Sequence, residues 1–420
     1  MDFPWVEQKL RVSEPPMTLS VAHISHTSES DTISFLGFIY LKGRRFSWAH
    51  LLALAVVDRM MLPFLGREKR ATCPRIHGKT IAVSKVDLLG DVLMISPVLA
   101  EIRKQAPTCK ICLVIGSWSS GAGRLMLEEG LCDDIIYYDP FLMNPAAFSR
   151  IRKIKQWLGS LTQAIAAIKK HRVGIYLDLR SFSPNSLLLA RAAGVPHKIG
   201  FGLRGFSYLL QQEIPYRATD IMGQSYLDAL PLMNLKSVEY TKPILRWNSS
   251  SNPLPPALRL PDNYVVIHPF SRDARKLVHP DLWRKVIALL PGFVCPVIIG
   301  TREDSENHAL MDVFAQSRSI ALVGQTSFSE AANCIEHSRG FLGVDSVFSH
   351  VALGFDRPAL ILARSGSSCR EAFPRTSRKL EFVELDELPE KASFRLIVEF
   401  MEMIEHRDIP VISSPGTKIA

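Results

Sequence analysis

Cysteine is sparse in this chain, with seven among 420 residues, at positions 73, 109, 112, 132, 295, 334 and 369. An odd number spread this thinly excludes the disulfide framework of a small secreted domain, and no second pair matches Cys109 and Cys112 to complete a structural zinc site. Those two sit in the alternating run CKICLVIG (109–116), where they read as small strand residues. The cysteine usage fits a reducing, cytosolic compartment. Residues 1–29 are polar, carry Asp2, Glu7 and Glu14 and hold no apolar h-region, so export through a signal peptide is not expected. Uninterrupted apolar runs fall short of the ~20 residues of a membrane span. The G-x-G-x-x-G and G-x-x-x-x-G-K-[ST] loops are both missing, which argues against a dinucleotide oxidoreductase and a P-loop phosphotransferase. H-E-x-x-H and a clustered His/Asp set are missing too, so no catalytic metal is expected, and no RNA- or DNA-reading motif points to nucleic acid.

What is present is an ordinary globular composition, 47% hydrophobic and 22% charged, long enough for two or three domains with ample core. Fifty Lys and Arg against 41 Asp and Glu give a formal charge of +9, which favours an anionic partner. Near the start, ISFLGFIYL (33–41) and FSWAHLLALAVV (46–57) flank Lys42, Arg44 and Arg45. Such a segment suits a helix lying among the headgroups of an anionic leaflet; a helix packed on the main body and a true span are the alternatives.

From Lys79 the pattern becomes short apolar runs alternating with helical spacing, which predicts an α/β protein with largely parallel sheets. Strands are expected at KTIAVSK (79–85), CKICLVIG (109–116), DDIIYYD (133–139) and VGIYLDL (173–179), with helices over 90–107, 122–129 and 150–170. A stretch rich in Pro, Ser and Asn over 241–262 reads as an interdomain linker. A second alternating half follows: strands YVVIHP (264–269), CPVIIG (295–300), SIALVG (319–324), GFLGV (340–344) and PALILA (358–363). Helices are expected between them over 280–290, 303–315, 327–337 and 346–354, and again over 387–406. The expected division is therefore an appendage over 1–75, one domain over 76–240, the linker, a second domain over 263–385, and a C-terminal helix and tail over 386–420.

Three loops carry candidate chemistry. In the first, Asp87, Gly90 and Asp91 separate a strand from a helix, where open α/β sheets bind ligands. Gly90 permits close approach of backbone to ligand, and either carboxylate can serve as a general base or as a plain helix cap. The second, Ser271, Arg272, Asp273, Ala274, Arg275 and Lys276 after His268, sets three cations near a strand end, suited to a diphosphate or to solvent. The third, Asp345 and Ser346 with His350 downstream, turns from strand into helix and suits phosphate on the helix amides; a turn residue, a cap and a satisfied histidine are the plainer alternative.

Taken in order over about 79–374, these segments resemble the family 9 glycosyltransferases, the heptosyltransferase group of lipopolysaccharide inner-core assembly. The carrying motifs are Lys85-x-Asp87-x-x-Gly90-Asp91-Val92 with Pro97 and Pro107, His268-Pro269 with the loop Lys276, Gly300-Thr301-Arg302-Glu303-Asp304, Leu322-x-Gly324-x-Thr326-Ser327, and Asp345-Ser346-x-x-x-His350.

The resemblance implies a GT-B architecture, two Rossmann-like domains facing across a cleft, and an inverting, metal-independent sugar transfer without a cofactor. By it, Asp91 is the base that deprotonates the acceptor, Lys276 contacts the donor diphosphate, Glu303 or Asp304 holds the ribose, and Asp345 completes the donor site. Asp87, Gly90, His268, Ser271, Arg272, Ser346 and His350 line the same binding region. It implies ADP-heptose as donor and a Kdo-lipid A-like glycan as acceptor. The protein would then sit peripherally on the anionic cytoplasmic face of the inner membrane.

The chain departs from the pattern at Val347, where the family has glycine and where a β-branched residue would resist a positive φ, and at Val278, where an aromatic is usual. The altered donor turn motivates one alternative, a catalytically silent glycan-binding scaffold of envelope assembly.

Overall fold

The computed structural model describes residues 32–35, 38–41, 48–141, 149–180, 184–215, 222–245, 259–363, 373, 380–384, 398–402 and 404. The apolar run 33–41 is divided into two short strands, β1 (Thr32–Phe35) and β2 (Phe38–Leu41), paired antiparallel. A single helix follows, α1 (Trp48–Leu65), and among the described residues no helix is long and apolar enough to cross a membrane. One face of α1 packs on the body: Ala55 and Asp58 are buried, and Leu54, Met61 and Leu62 lie against Leu187, Phe206 and Tyr208.

The first large sheet is built from β3 (Thr80–Ser84), α2 (Leu89–Leu93), α3 (Ser96–Gln105), β4 (Lys110–Ile115), α4 (Ser120–Glu128), β5 (Asp134–Tyr137), α5 (Arg150–Lys170), β6 (Ile175–Asp178), α6 (Asn185–Ala192), β7 (His197–Gly200), β8 (Gln212–Glu213) and α7 (Met222–Leu227). Its strands are all parallel and ordered β5-β4-β3-β6-β7-β8. Strands covered on both faces need continuous apolar runs, and ICLVI of β4 is buried throughout. The helix expected over 90–107 is in fact two. The first ends at Leu93 with Met94 as its C-cap, Ile95 is the N-cap of the second, and Pro97, which cannot donate to a helix interior, takes the first turn of the second. α5 starts where Ser149 accepts from the Arg152 amide, a side-chain cap on an otherwise orphaned donor.

The second sheet repeats the plan with β9 (Tyr264–His268), α8 (Pro280–Leu289), β10 (Cys295–Ile298), α9 (His308–Ala315), β11 (Ile320–Ala321), α10 (Phe328–His337), β12 (Phe341–Val344), α11 (Val347–Gly354), β13 (Ala359–Ala363) and β14 (Leu380–Glu384), in the parallel order β11-β10-β9-β12-β13-β14. The helix expected over 303–315 also breaks, because Asn307 caps α9 by accepting from Leu310. Most of the expected linker (246–258) and of the C-terminal helix (387–406) lies outside the described residues, although Phe400, Met401 and Ile404 are buried against the second sheet.

Residues 242–245 lace the halves together. Ser96 Oγ accepts from the Ile244 amide at 2.9 Å, and Lys242 pairs with Asp356. One apolar core runs from Leu99 and Leu125 of the first half to Tyr264 and Ile335 of the second. At the carboxyl ends of the strands α2 lies against α11, and Gly121 of α4 faces Phe328 of α10.

Candidate functional site

Each sheet reverses its winding at its first strand, between β3 and β6 and between β9 and β12. Connections leaving those strands must part in opposite directions, and the crevice between them is where open α/β sheets take ligands. The three candidate loops lie there: 85–91 after β3, 269–279 after β9, and 345–346 after β12.

In the first loop Asp87 is neither a cap nor free for catalysis. Its carboxylate pairs with Lys85 at 2.9 Å and faces Arg180 at 3.5 Å, both side chains almost wholly buried. Lys85 also donates to Tyr226 Oη at 2.8 Å and to the Leu179 carbonyl at 3.3 Å, and stands 4.6 Å from the Tyr226 ring centre. Burial alone would push the Lys85 ammonium down, but Asp87, Tyr226 and Asp91 outweigh it and the group is held well above its usual range. Desolvation likewise raises the Tyr226 phenol. The Asp87 carbonyl accepts from Trp118 Nε1 at 2.9 Å and Ser119 Oγ at 2.7 Å. A loop fixed at so many points presents Gly90 and Asp91 in the first turn of α2, with Asp91 partly exposed.

In the second domain the cations of the basic loop separate into different tasks. Arg275 is spent on Asp273, whose carboxyl it holds down to about 2. Lys276 Nζ pairs with Asp345 Oδ2 at 2.5 Å, joining the second loop to the third. Arg272 is exposed and adds to the depression of the Glu303 carboxyl, which is held down first by its own backbone amide and the Thr301 hydroxyl. Ser271 Oγ accepts from the Asp273 amide. Asp304 caps the turn, accepting from Thr301 N at 2.7 Å and Thr301 Oγ1 at 3.0 Å, whereas Glu303 is exposed.

The α11 turn differs in detail from expectation. Ser346 occupies the N-cap position, but its hydroxyl makes no capping bond. Val347 is the first helical residue and has no positive φ, so its β-branch meets no backbone strain there. The histidines are interior groups. His350 is 4% exposed, stacks on Phe373 with ring centres 4.6 Å apart, and burial pulls its imidazole down to about 4. His268 stands edge-on to Phe348 at 4.8 Å and is pulled down to about 3 for the same reason. Both are neutral at pH 7 and pack the floor of the site. Val278 is buried in the second core. Cys109 and Cys112 are buried at the start of and within β4, and desolvation pushes their thiols up to about 12 and about 11.

Sequence reasoning missed Arg180 and Tyr226. Arg180 carried a readable signal, a cation just past the end of β6 beside the reversal point; Tyr226 carried none. Among the described residues no three His, Cys, Asp or Glu side chains converge as a metal-binding set.

Two Rossmann-like domains, each an all-parallel six-stranded sheet, with α2 of the first packed on α11 of the second, define a GT-B architecture. Residues 182–395, just over half of the chain, match the model of glycosyltransferase family 9 (heptosyltransferase), and the chain belongs to that family. It is 23% identical over 297 residues to a lipopolysaccharide heptosyltransferase 3 of Escherichia coli, covering 65% of this chain and 80% of the relative. Among solved structures, a family 9 glycosyltransferase of Veillonella parvula superposes with a TM-score of 0.64 at 16% identity, covering 80% of this chain and 100% of its own. The E. coli heptosyltransferase WaaC with ADP-2-deoxy-2-fluoro heptose gives 0.59 at 15% identity, covering 76% and 99%. At such identities the structural likeness shows the shared fold.

Proposed function

We propose that this glycosyltransferase moves heptose from ADP-heptose onto a lipopolysaccharide inner-core acceptor of the Kdo-lipid A kind, with inversion and without a metal, as a peripheral protein at the cytoplasmic face of the inner membrane. The observation that supports the reading is the packing of the α2 turn, which carries Asp91, on α11, the helix that follows the Asp345 paired with Lys276. The lipopolysaccharide heptosyltransferase relative and the ADP-sugar complex of a structural neighbour support this choice of donor and acceptor class.

In this mechanism Asp91 takes the proton of the acceptor hydroxyl, whose oxygen attacks the anomeric carbon as the bond to the diphosphate breaks. The charge gathering on the departing ADP is met by Lys276, by exposed Arg272 and by the first amides of α11. Fixed cations at that position supply the neutralisation a divalent ion would otherwise give. Of the two carboxylates offered to the ribose hydroxyls, Glu303 is the exposed one and its carboxyl is held low, while Asp304 caps the turn, which favours Glu303 for that role.

The test is ADP release from ADP-heptose with a deacylated Kdo-lipid A acceptor, for wild type and Asp91→Ala. Acceptor-dependent release, reduced about 10³-fold or more in the variant, supports the reading. Release from a UDP- or GDP-sugar instead would change the donor, and binding without turnover would favour a silent scaffold.

A further inference from the structure

α1 is held to the first domain by one side only. Asp58 is fully buried and its Oδ1 accepts from the Phe206 amide at 2.7 Å. The opposite side stays in water: Leu52 is 48% exposed, Val56 42%, Met60 65% and Phe64 81%. These positions recur every four residues and form one apolar stripe along the helix.

α5 repeats the arrangement. Its C-terminal half is anchored by buried Ala164 and Ile168, whereas Ile151 is 70% exposed, Ile154 43% and Leu158 48%, again along one face. Between the two helices lies α6, which gives Leu187 to the α1 cluster and Leu189 and Ala190 to the α5 cluster, while Arg191 donates to the Leu65 carbonyl at 3.3 Å. Both stripes, which no described residue buries, therefore belong to the domain that carries Asp91 and flank the same helix.

Among the described residues the charge around the stripes is predominantly positive, with Glu213 and Asp134 as paired exceptions. α5 contains Arg150, Arg152, Lys153, Lys155, Lys169 and Lys170 and no acidic residue. Beside α1, Arg59, Arg67, Lys69 and Arg75 are exposed, while Asp58 is buried and Glu68 is turned to Lys198 and Gln211. A polyanion such as nucleic acid would use the cations and leave the apolar stripes in water. A second copy would set like charges against each other in a chain of net charge +9. An anionic lipid bilayer satisfies both features, taking the apolar side chains below the headgroups and the cations at their level.

We propose that the outward faces of α1 and α5 are the seat of this protein on an anionic bilayer, α1 lying in the interface without spanning it. This rests on the lipid-linked acceptor read above, which would rise from the same surface toward the domain bearing Asp91.

The experiment is co-sedimentation of the full chain with vesicles of phosphatidylcholine and phosphatidylglycerol, and with vesicles of phosphatidylcholine alone. Wild type, Met60→Asp/Phe64→Asp and Ile151→Asp/Ile154→Asp are compared, each checked for an unchanged melting temperature, and every protein is also assayed for turnover of the water-soluble deacylated acceptor. Wild type is expected to bind the anionic vesicles, less at high salt, and each double variant to lose about tenfold or more in partitioning with soluble-acceptor turnover retained. Equal binding by the variants, or equal binding to both vesicle types, overturns the proposal. So does a wild type that self-associates through these residues, seen as a halved mass in the variants. Absent turnover in wild type with vesicle binding intact would sink the catalytic reading and leave the bilayer seat standing.

Discussion

The edge of the His350 imidazole occupies the space that a side chain at Gly90 would need: a Cβ built on Gly90 falls 3.1 Å from His350 Cδ2 and 3.6 Å from Val347 Cα. The absence of a side chain at Gly90 therefore sets how closely the acceptor-side turn approaches the helix that follows Asp345. His350 cannot retreat readily, because Phe373 is stacked on its ring with an interplanar angle of 11°.

Gly90→Ala should push α2 off α11 by a few tenths of an ångström and move Asp91 with it. We expect kcat to fall roughly ten- to a hundredfold, since small misplacements of a base are costly, with the melting temperature changed little. Steady-state kinetics with calorimetry check this. In the Gly90→Ala/His350→Ala double variant the loss should be less than the sum of the single losses.

Lys276→Ala removes the cation assigned to the leaving group. Its side chain is 28% exposed, so little folding energy is at stake, while kcat/KM should drop about 10²–10³-fold. A melting temperature that collapses along with activity would make Lys276 a structural residue.

Asp87→Ala leaves the buried cations of Lys85 and Arg180 without the carboxylate between them. Breaking a buried pair from one side costs about 3–5 kcal/mol, so urea denaturation should show a loss on that scale. A loss below about 1 kcal/mol would mean that water reaches the cluster.

Acid should weaken the fold through the two buried imidazoles. His350 and His268 are pulled down to about 4 and about 3, so between those values and about 6.5 the unfolded chain binds protons that the folded chain cannot. Their contribution is intact above about pH 6.5 and declines as pH falls, by roughly 2 kcal/mol for each histidine at pH 5. His350→Phe should shrink the pH 7 to pH 5 difference in unfolding free energy by about that amount.

What could be read beforehand follows from where the information lies along the chain. CKICLVIG and YVVIHP showed themselves as strands because a strand sealed on both faces must be apolar throughout, and 150–170 as a helix because its spacing is helical from Ser149 onward. β7 was not legible. Its His197 and Lys198 are polar, and they become buried only because Gln212, Gln211 and Glu68 satisfy them from elsewhere. α6 is short, with buried residues in adjacent pairs (Ser186 and Leu187, Leu189 and Ala190), and offers no clear period. The same division holds at the site. The turn 85–91 could be recognised as a string of residues, whereas the partner that fixes it, Tyr226, lies 141 positions from Lys85. Val347 misled because a glycine in a motif suggests a required positive φ, and here the backbone at that point is helical.

The Asp58–Phe206 hydrogen bond spans 148 residues, and that separation has a consequence for synthesis. α1 leaves the ribosome early, but the surface that receives it, Leu187 and Phe206 to Leu210, is made much later. At about 5–20 residues per second the helix waits about 7–30 s, apolar on both sides, before its inner face can dock. During that interval the nascent chain carries a ready ligand for a chaperone or a lipid surface, so the order of translation exposes the whole helix first and leaves only its outer stripe exposed afterwards.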